Sequence, residues 1–139
     1  MPCLPITLKA LKPKKTDFEP RTLGEHVRKR RLALKLSQKQ AADLLGVTPW
    51  TVLNWEKSNT KPPIESIPAI LRFLGYDPFA EPKSISARLL AKRRAMGWSI
   101  KEAARHLGVD EGTWGKWERG ATIPKRQHVL LLEAFLPRR

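Results

Sequence analysis

Ser37-Gln38-Lys39-Gln40-Ala41-Ala42-Asp43-Leu44-Leu45-Gly46-Val47 returns further along the chain as Ser99-Ile100-Lys101-Glu102-Ala103-Ala104-Arg105-His106-Leu107-Gly108-Val109. The register holds beyond this stretch. Trp55-Glu56 recurs as Trp117-Glu118, and Pro62 as Pro124, all at one constant offset. A repeat kept in register over that distance makes the repeated unit, not the whole chain, the thing that must fold. Each copy has the same local grammar. Ser37 and Ser99 are placed as N-caps with Gln40 and Glu102 three residues on, a capping box that satisfies amide donors left open at a helix start. Gly46 and Gly108 then stand where the chain must turn sharply, which predicts positive φ.

Working outward, a helix is expected from Thr22, with Leu23, Val27, Arg30, Arg31 and Leu34 near one stripe and basic residues on the other faces. The next helix is short, Gln38 to Leu45, with Ala41, Ala42 and Leu45 inward. Val47 and Val109 plug the core. Thr48 caps the third helix with Pro49 at its first position, where a missing N–H costs nothing, and Asp110 caps its counterpart. These third helices are expected from Pro49 to Lys57 and from Glu111 to Arg119. Polar loops ending in proline lead to a fourth helix, near Ile64–Leu74 in one copy and Lys125–Leu136 in the other. No segment reads as a strand. The expected division is a basic flexible arm over 1–20, a first domain over 21–76, a Pro-containing linker over 77–83 and a second domain over 84–139.

Lys and Arg number 27 against 13 Asp and Glu in 139 residues, a net charge of +14. Both repeats are basic separately, which favours a polyanionic partner, nucleic acid first. One cysteine, Cys3, excludes an internal disulfide and a thiolate metal cage. His26, His106 and His128 lack paired ligand spacing, so no metal and no cofactor are expected. No apolar run approaches the length of about 20 residues that spans a bilayer, and Met1 to Ala10 does not read as a signal peptide. A cytoplasmic protein is expected. Paired carboxylates, a nucleophile with its base and a phosphate-cradling glycine loop are all missing at usable spacing, which argues against an enzyme.

Two short helices joined at a glycine, the second starting at a cap, form a helix-turn-helix pattern, in which the second helix projects its N-terminal half into a major groove. Leu36-Ser37-Gln38-Lys39-Gln40-Ala41-Ala42, Leu45-Gly46-Val47 and Trp55-Glu56, with their counterparts up to Trp117-Glu118-Arg119-Gly120, resemble the Cro/C1-type, or Xre, family of bacterial and phage regulators. The resemblance covers about 22–74 and 84–136. It implies an all-α chain: two tandem lambda-repressor-like helix-turn-helix bundles of four to five helices each. It also implies a nucleoid-associated transcriptional regulator, a repressor first of all, in a family whose members mostly bind operator DNA as two-fold dimers. Because this chain carries two units, binding to double-stranded DNA as a monomer or homodimer is expected.

By family position the base-contact candidates are Pro49, Trp50, Thr51, Leu53 and Asn54 in the first unit. In the second they are Glu111, Gly112, Thr113 and Lys116, with Gly115 at the remaining helix position. Asn54 suits adenine, Lys116 guanine or phosphate, and Glu111 the cytosine amine. Trp50 has two open readings: contact with thymine methyls or the sugar wall, or burial against the linker, the arm or the other unit. The resemblance makes Gln38 a phosphate contact, which its counterpart Ile100 cannot be. Lys39, Lys57, Lys61, Lys101 and Arg119 are further backbone contacts, and Lys9, Lys12, Lys14 and Lys15 suit an arm along a groove, or a solvated tail. Arg31 precedes Glu56 by the same spacing that separates Arg93 from Glu118. The family pairs such residues as structural ion pairs; contact of the arginines with phosphate is the alternative. Trp55 and Trp117 read as core.

The recognition positions differ between repeats, so the expected target is asymmetric, with two unlike half-sites about one helical turn, roughly 10 bp, apart. Gly112 and Gly115 weaken the second recognition helix by about 1 kcal/mol each relative to alanine. Other classes carried alongside are an architectural accessory factor of a phage or mobile element, a protein-bridging factor or antitoxin, and an RNA binder. The last lacks an aromatic stacking sheet.

Overall fold

The computed structural model describes residues 18–136, so the arm lysines at 9, 12, 14 and 15 lie outside the described residues. Within them the protein is all-helical. Eight α-helices run in order: α1 (Leu23–Ala33), α2 (Gln38–Leu45), α3 (Pro49–Glu56), α4 (Ile67–Leu74), α5 (Ile85–Met96), α6 (Ile100–Leu107), α7 (Glu111–Glu118) and α8 (Arg126–Phe135), with a 3₁₀ turn at Ile64–Ser66 before α4. No described helix is long and apolar enough to cross a membrane.

Local chemistry sets the ends. Ser37 and Ser99 each accept from the amide three residues on, and the Gln40 and Glu102 side chains close the box onto the cap amides. Thr22 and Glu25 make a third box at the start of α1, one that the repeat does not mark. Gly46 and Gly108 end α2 and α6 at φ of 72° and 83°, the left-handed region that costs a Cβ-bearing residue roughly 1–2 kcal/mol. Thr48 caps α3 with Pro49 at its first turn, and Asp110 caps α7 by accepting from Gly112 N at 2.9 Å.

The chain divides into two compact units between Pro62 and Pro63. In the first unit, α1 and α2 both pack on α3, burying Val27, Ala41, Ala42, Leu45, Val52 and Trp55. Leu34, placed by periodicity on the inward stripe, is instead the exposed C-cap of α1, because the helix stops there and the chain turns at Lys35 with φ of 58°.

In the second unit, α5 and α6 pack on α7, and α8 closes over α6. Leu89, Ala103, Ala104, Leu107, Trp114, Trp117, Leu132 and Leu136 form its core, with Trp98 and Phe135 against the edge. The Trp114 and Phe135 rings meet edge-on, 6.1 Å apart, an arrangement that ring quadrupoles favour. Each core column of α1 to α3 has its partner in the second copy, with two changes of size: Val27 is answered by Leu89 and Val52 by Trp114. The 3₁₀ turn and α4 also belong to this compact unit, since both pack on α5. Residues 77–83, read as a linker, likewise fall within it, with the Arg94 guanidinium 3.9 Å from the centre of the Phe79 ring.

Candidate nucleic-acid interface

The geometry begins with what holds the third helix of each copy. In the first unit Arg31 Nε and Nη2 donate to Glu56 Oε2 and Oε1 at 2.6 and 2.9 Å. Its Nη1 donates to the Leu36 carbonyl. Arg93 repeats this on Glu118 at 2.7 and 2.6 Å and on the Trp98 carbonyl. One guanidinium thus ties the first helix, the loop after it and the end of the third helix. Both carboxylates are largely removed from water, and paired geometry of this kind is what makes a buried charge tolerable.

Each carboxylate also takes a third donor, and the two repeats supply it differently. Gln38 Nε2 donates to Glu56 Oε1 at 3.2 Å. Ile100 cannot do this for Glu118, and Trp114 Nε1 donates to Glu118 Oε2 at 2.8 Å instead. Burial by itself would raise the Glu118 carboxyl. The hydrogen bonds from Arg93 and Trp114 and the charges of Arg93 and Arg94 outweigh it and hold the group below its ordinary range.

On the outward side of α3, Pro49 and Trp50 are exposed, and Trp50 keeps 70 % of its surface open among the described residues. Thr51 is half-buried, its hydroxyl 2.9 Å from that of Thr48. Leu53 is half-buried. Asn54 is engaged at both ends of its amide: Nδ2 donates to the Trp50 carbonyl at 3.0 Å, and Oδ1 accepts from Asn59 Nδ2 at 3.1 Å. Its own carbonyl accepts from Asn59 N, so Asn54 clamps the loop that follows α3.

On α7, Glu111, Gly112 and Lys116 are exposed and Thr113 is half-buried. Gly115 is buried, with the Arg119 guanidinium over it: a Cβ there would lie 3.1 Å from Arg119 Nη1. Lys39, Lys57, Lys61, Lys101 and Arg119 are all exposed, whereas Gln38 is half-buried against Glu56. The outward sides of the two helices therefore differ: an aromatic ring and a leucine on α3, and an acidic start, a bare glycine and Lys116 on α7 with Arg119 at its C-cap.

Two devices escaped the reading of the sequence. Gly24 approaches Trp55 so closely that a Cβ would meet its carbonyl oxygen at 1.8 Å, and at the equivalent place Ser86 Oγ donates to the Trp117 carbonyl at 2.7 Å. Lys35 and Ser58 adopt positive φ where the second copy has Gly97 and Gly120. Aligning the copies column by column shows these glycine exchanges. Periodicity does not.

A family model described as helix-turn-helix matches residues 27–79. A second, described as helix-turn-helix domain, matches residues 85–136. The first match runs across the division at Pro62/Pro63, so the homologous unit and the compact unit differ by α4. No curated protein and no solved structure matches the chain.

Proposed function

We propose, for a chain that carries two Cro/C1-type helix-turn-helix domains in tandem, that it is a sequence-specific regulator of transcription acting as a repressor on an asymmetric operator. The domains indicate double-stranded DNA as the partner. One chain places α3 and α7 in the major groove of two dissimilar half-sites, and occupancy of the operator excludes other proteins from it. The observation that carries this reading is the contrast between support and face. The two helices are held by the same bidentate Arg–Glu pair, yet they present unrelated outward residues. Equal half-sites would call for equal faces.

In this reading Trp50 and Leu53 meet base edges in one half-site, with Pro49, Thr51 and Asn54 shaping the face beside them, and Glu111, Gly112, Thr113 and Lys116 lie over the other. Lys39, Lys57, Lys61, Lys101 and Arg119 meet phosphates, which set position and affinity but carry no sequence information.

The test is selection of binding sites from a random duplex library with the whole chain at about 150 mM salt, since specificity is meaningful only at stated salt. An asymmetric, non-palindromic enriched site is expected. A perfect palindrome occupied by two chains would refute the single-chain operator, and binding with no enriched motif would refute sequence-specific regulation.

A further inference from the structure

We infer that the two heads divide the work: the first reads thymine methyl groups by apolar contact through Trp50, and the second grips the phosphate backbone with little regard to sequence. This rests on the reading of the chain as a DNA-binding regulator and says how that site discriminates.

The first head is poor in free hydrogen-bonding groups on its outward face. Both ends of the Asn54 amide are taken by Trp50 and Asn59, and the Thr51 hydroxyl is shared with Thr48. What α3 offers outward is a 70 % exposed indole one residue into the helix, with Leu53 on the same helix three residues later. A large ring left in water at a helix tip gains by covering apolar surface. The thymine C5-methyl is the apolar group that a major groove presents. Pro49 and the Thr48 cap fix the backbone that carries the ring, so little order is lost when it docks.

The second head lacks this equipment. Gly112 replaces Trp50 and Gly115 replaces Leu53, so α7 has no side chain at either position. The Arg119 guanidinium covers Gly115 instead, and Lys116 stands exposed beside it. On α6, Lys101 and Arg105 are both exposed, four residues apart and so on one face. The first unit has Lys39 and the acidic Asp43 at those places. The acids at the α7 tip do not supply a reading set: Asp110 Oδ2 is committed to Gly112 N, which leaves Glu111 alone. Exposed cations over a face left bare at the places of Trp50 and Leu53 suit a polyphosphate strand of any sequence.

The experiment uses the whole chain on the strongest selected duplex, the same duplex with deoxyuridine for thymine, and a scrambled duplex. Uracil lacks only the methyl, so one buried methyl makes binding about fourfold weaker on the deoxyuridine duplex. Trp50→Ala should abolish that fourfold difference and bring selected and scrambled affinities together. Lys116→Ala with Arg119→Ala should weaken selected and scrambled duplexes by the same factor. It should also lower the salt slope by about 0.9 for each phosphate that is no longer neutralised. All three positions are exposed, and unchanged unfolding midpoints confirm intact folding.

The inference is overturned if the deoxyuridine duplex binds as tightly as the thymine duplex. It is also overturned if Glu111→Gln or the Lys116/Arg119 double variant changes which base is preferred. Either result leaves sequence-specific binding standing, whereas the lack of any enriched site removes that reading and this one together.

Discussion

Gly24 and Trp55 touch backbone to backbone: a Cβ on Gly24 would lie 1.8 Å from the Trp55 carbonyl oxygen. That contact seats α1 on the end of α3, the helix proposed to read bases. Its counterpart, Ser86 on Trp117, keeps the helices far enough apart for a hydroxyl to donate to the same carbonyl at 2.7 Å. Gly24→Ala should therefore destabilise the first unit by about 3 kcal/mol or more, since an overpacked contact against backbone has no flexible neighbour to yield. Ser86→Ala should cost only about 1 kcal/mol, one hydrogen bond. Urea unfolding of both variants measures the difference, and equal losses would mean that the close approach does not matter.

Lys35 should be replaceable by glycine with a gain. Its φ is 58°, and Gly97 holds the same turn in the second copy at 71°. Relief of left-handed strain stabilises Lys35→Gly by about 1 kcal/mol. Gly97→Ala should lose stability, because its Cβ would also come within 3.0 Å of Pro68 Cγ. Thermal melts of the two variants should shift in opposite directions.

Acid should weaken the second unit through Glu118. Its carboxyl is held below the ordinary value of 4.5, against burial, by Arg93 and Trp114. A lowered folded pKa contributes stability that is complete above the unfolded value and is lost as pH falls through the folded one. Stability should thus decline below about pH 4.5, and Glu118→Gln should flatten that decline while costing stability at neutral pH. Denaturant midpoints collected from neutral to strongly acidic pH measure it. A Glu118→Gln profile parallel to that of the unaltered chain would show that another group titrates.

The family resemblance makes Gln38 a phosphate contact. The structure turns its amide onto Glu56 at 3.2 Å. Gln38→Ala should lower stability by about 1 kcal/mol and leave the salt dependence of DNA binding unchanged. A salt slope reduced by about 0.9 would instead mark a phosphate contact.

Asn54→Ala should free the loop at Asn59 and expose it to faster amide exchange, since the side-chain bonds to the Trp50 carbonyl and to Asn59 go together. Binding should fall by a similar factor on all duplexes. A loss confined to one base pair, about 1–3 kcal/mol, would show that the amide leaves its intramolecular partners and reads adenine.

What was legible in advance follows from the range of the forces involved. Capping boxes at Ser37 and Ser99, positive φ at Gly46 and Gly108 and the Pro49 start of α3 are contests between a side chain and its own backbone three or four residues away. The spelling of the chain settles them, and the repeat doubled every such signal. The buried Trp55 and Trp117 were legible because their register places them inward in both copies. Tertiary structure alone decided where an amide or a ring meets a partner that sequence spacing does not mark. Gln38 turns inward because Glu56 lies there with room for a third donor, and Trp114 fills that place where Ile100 cannot. Gly24 is required by the Trp55 carbonyl, which belongs to another helix. Helix α4 joins α5 because its packing lies there, although repeat register assigns it to the first copy. Short-range chemistry is written locally, while burial and hydrogen-bond choice depend on which atoms the fold brings within about 3 Å.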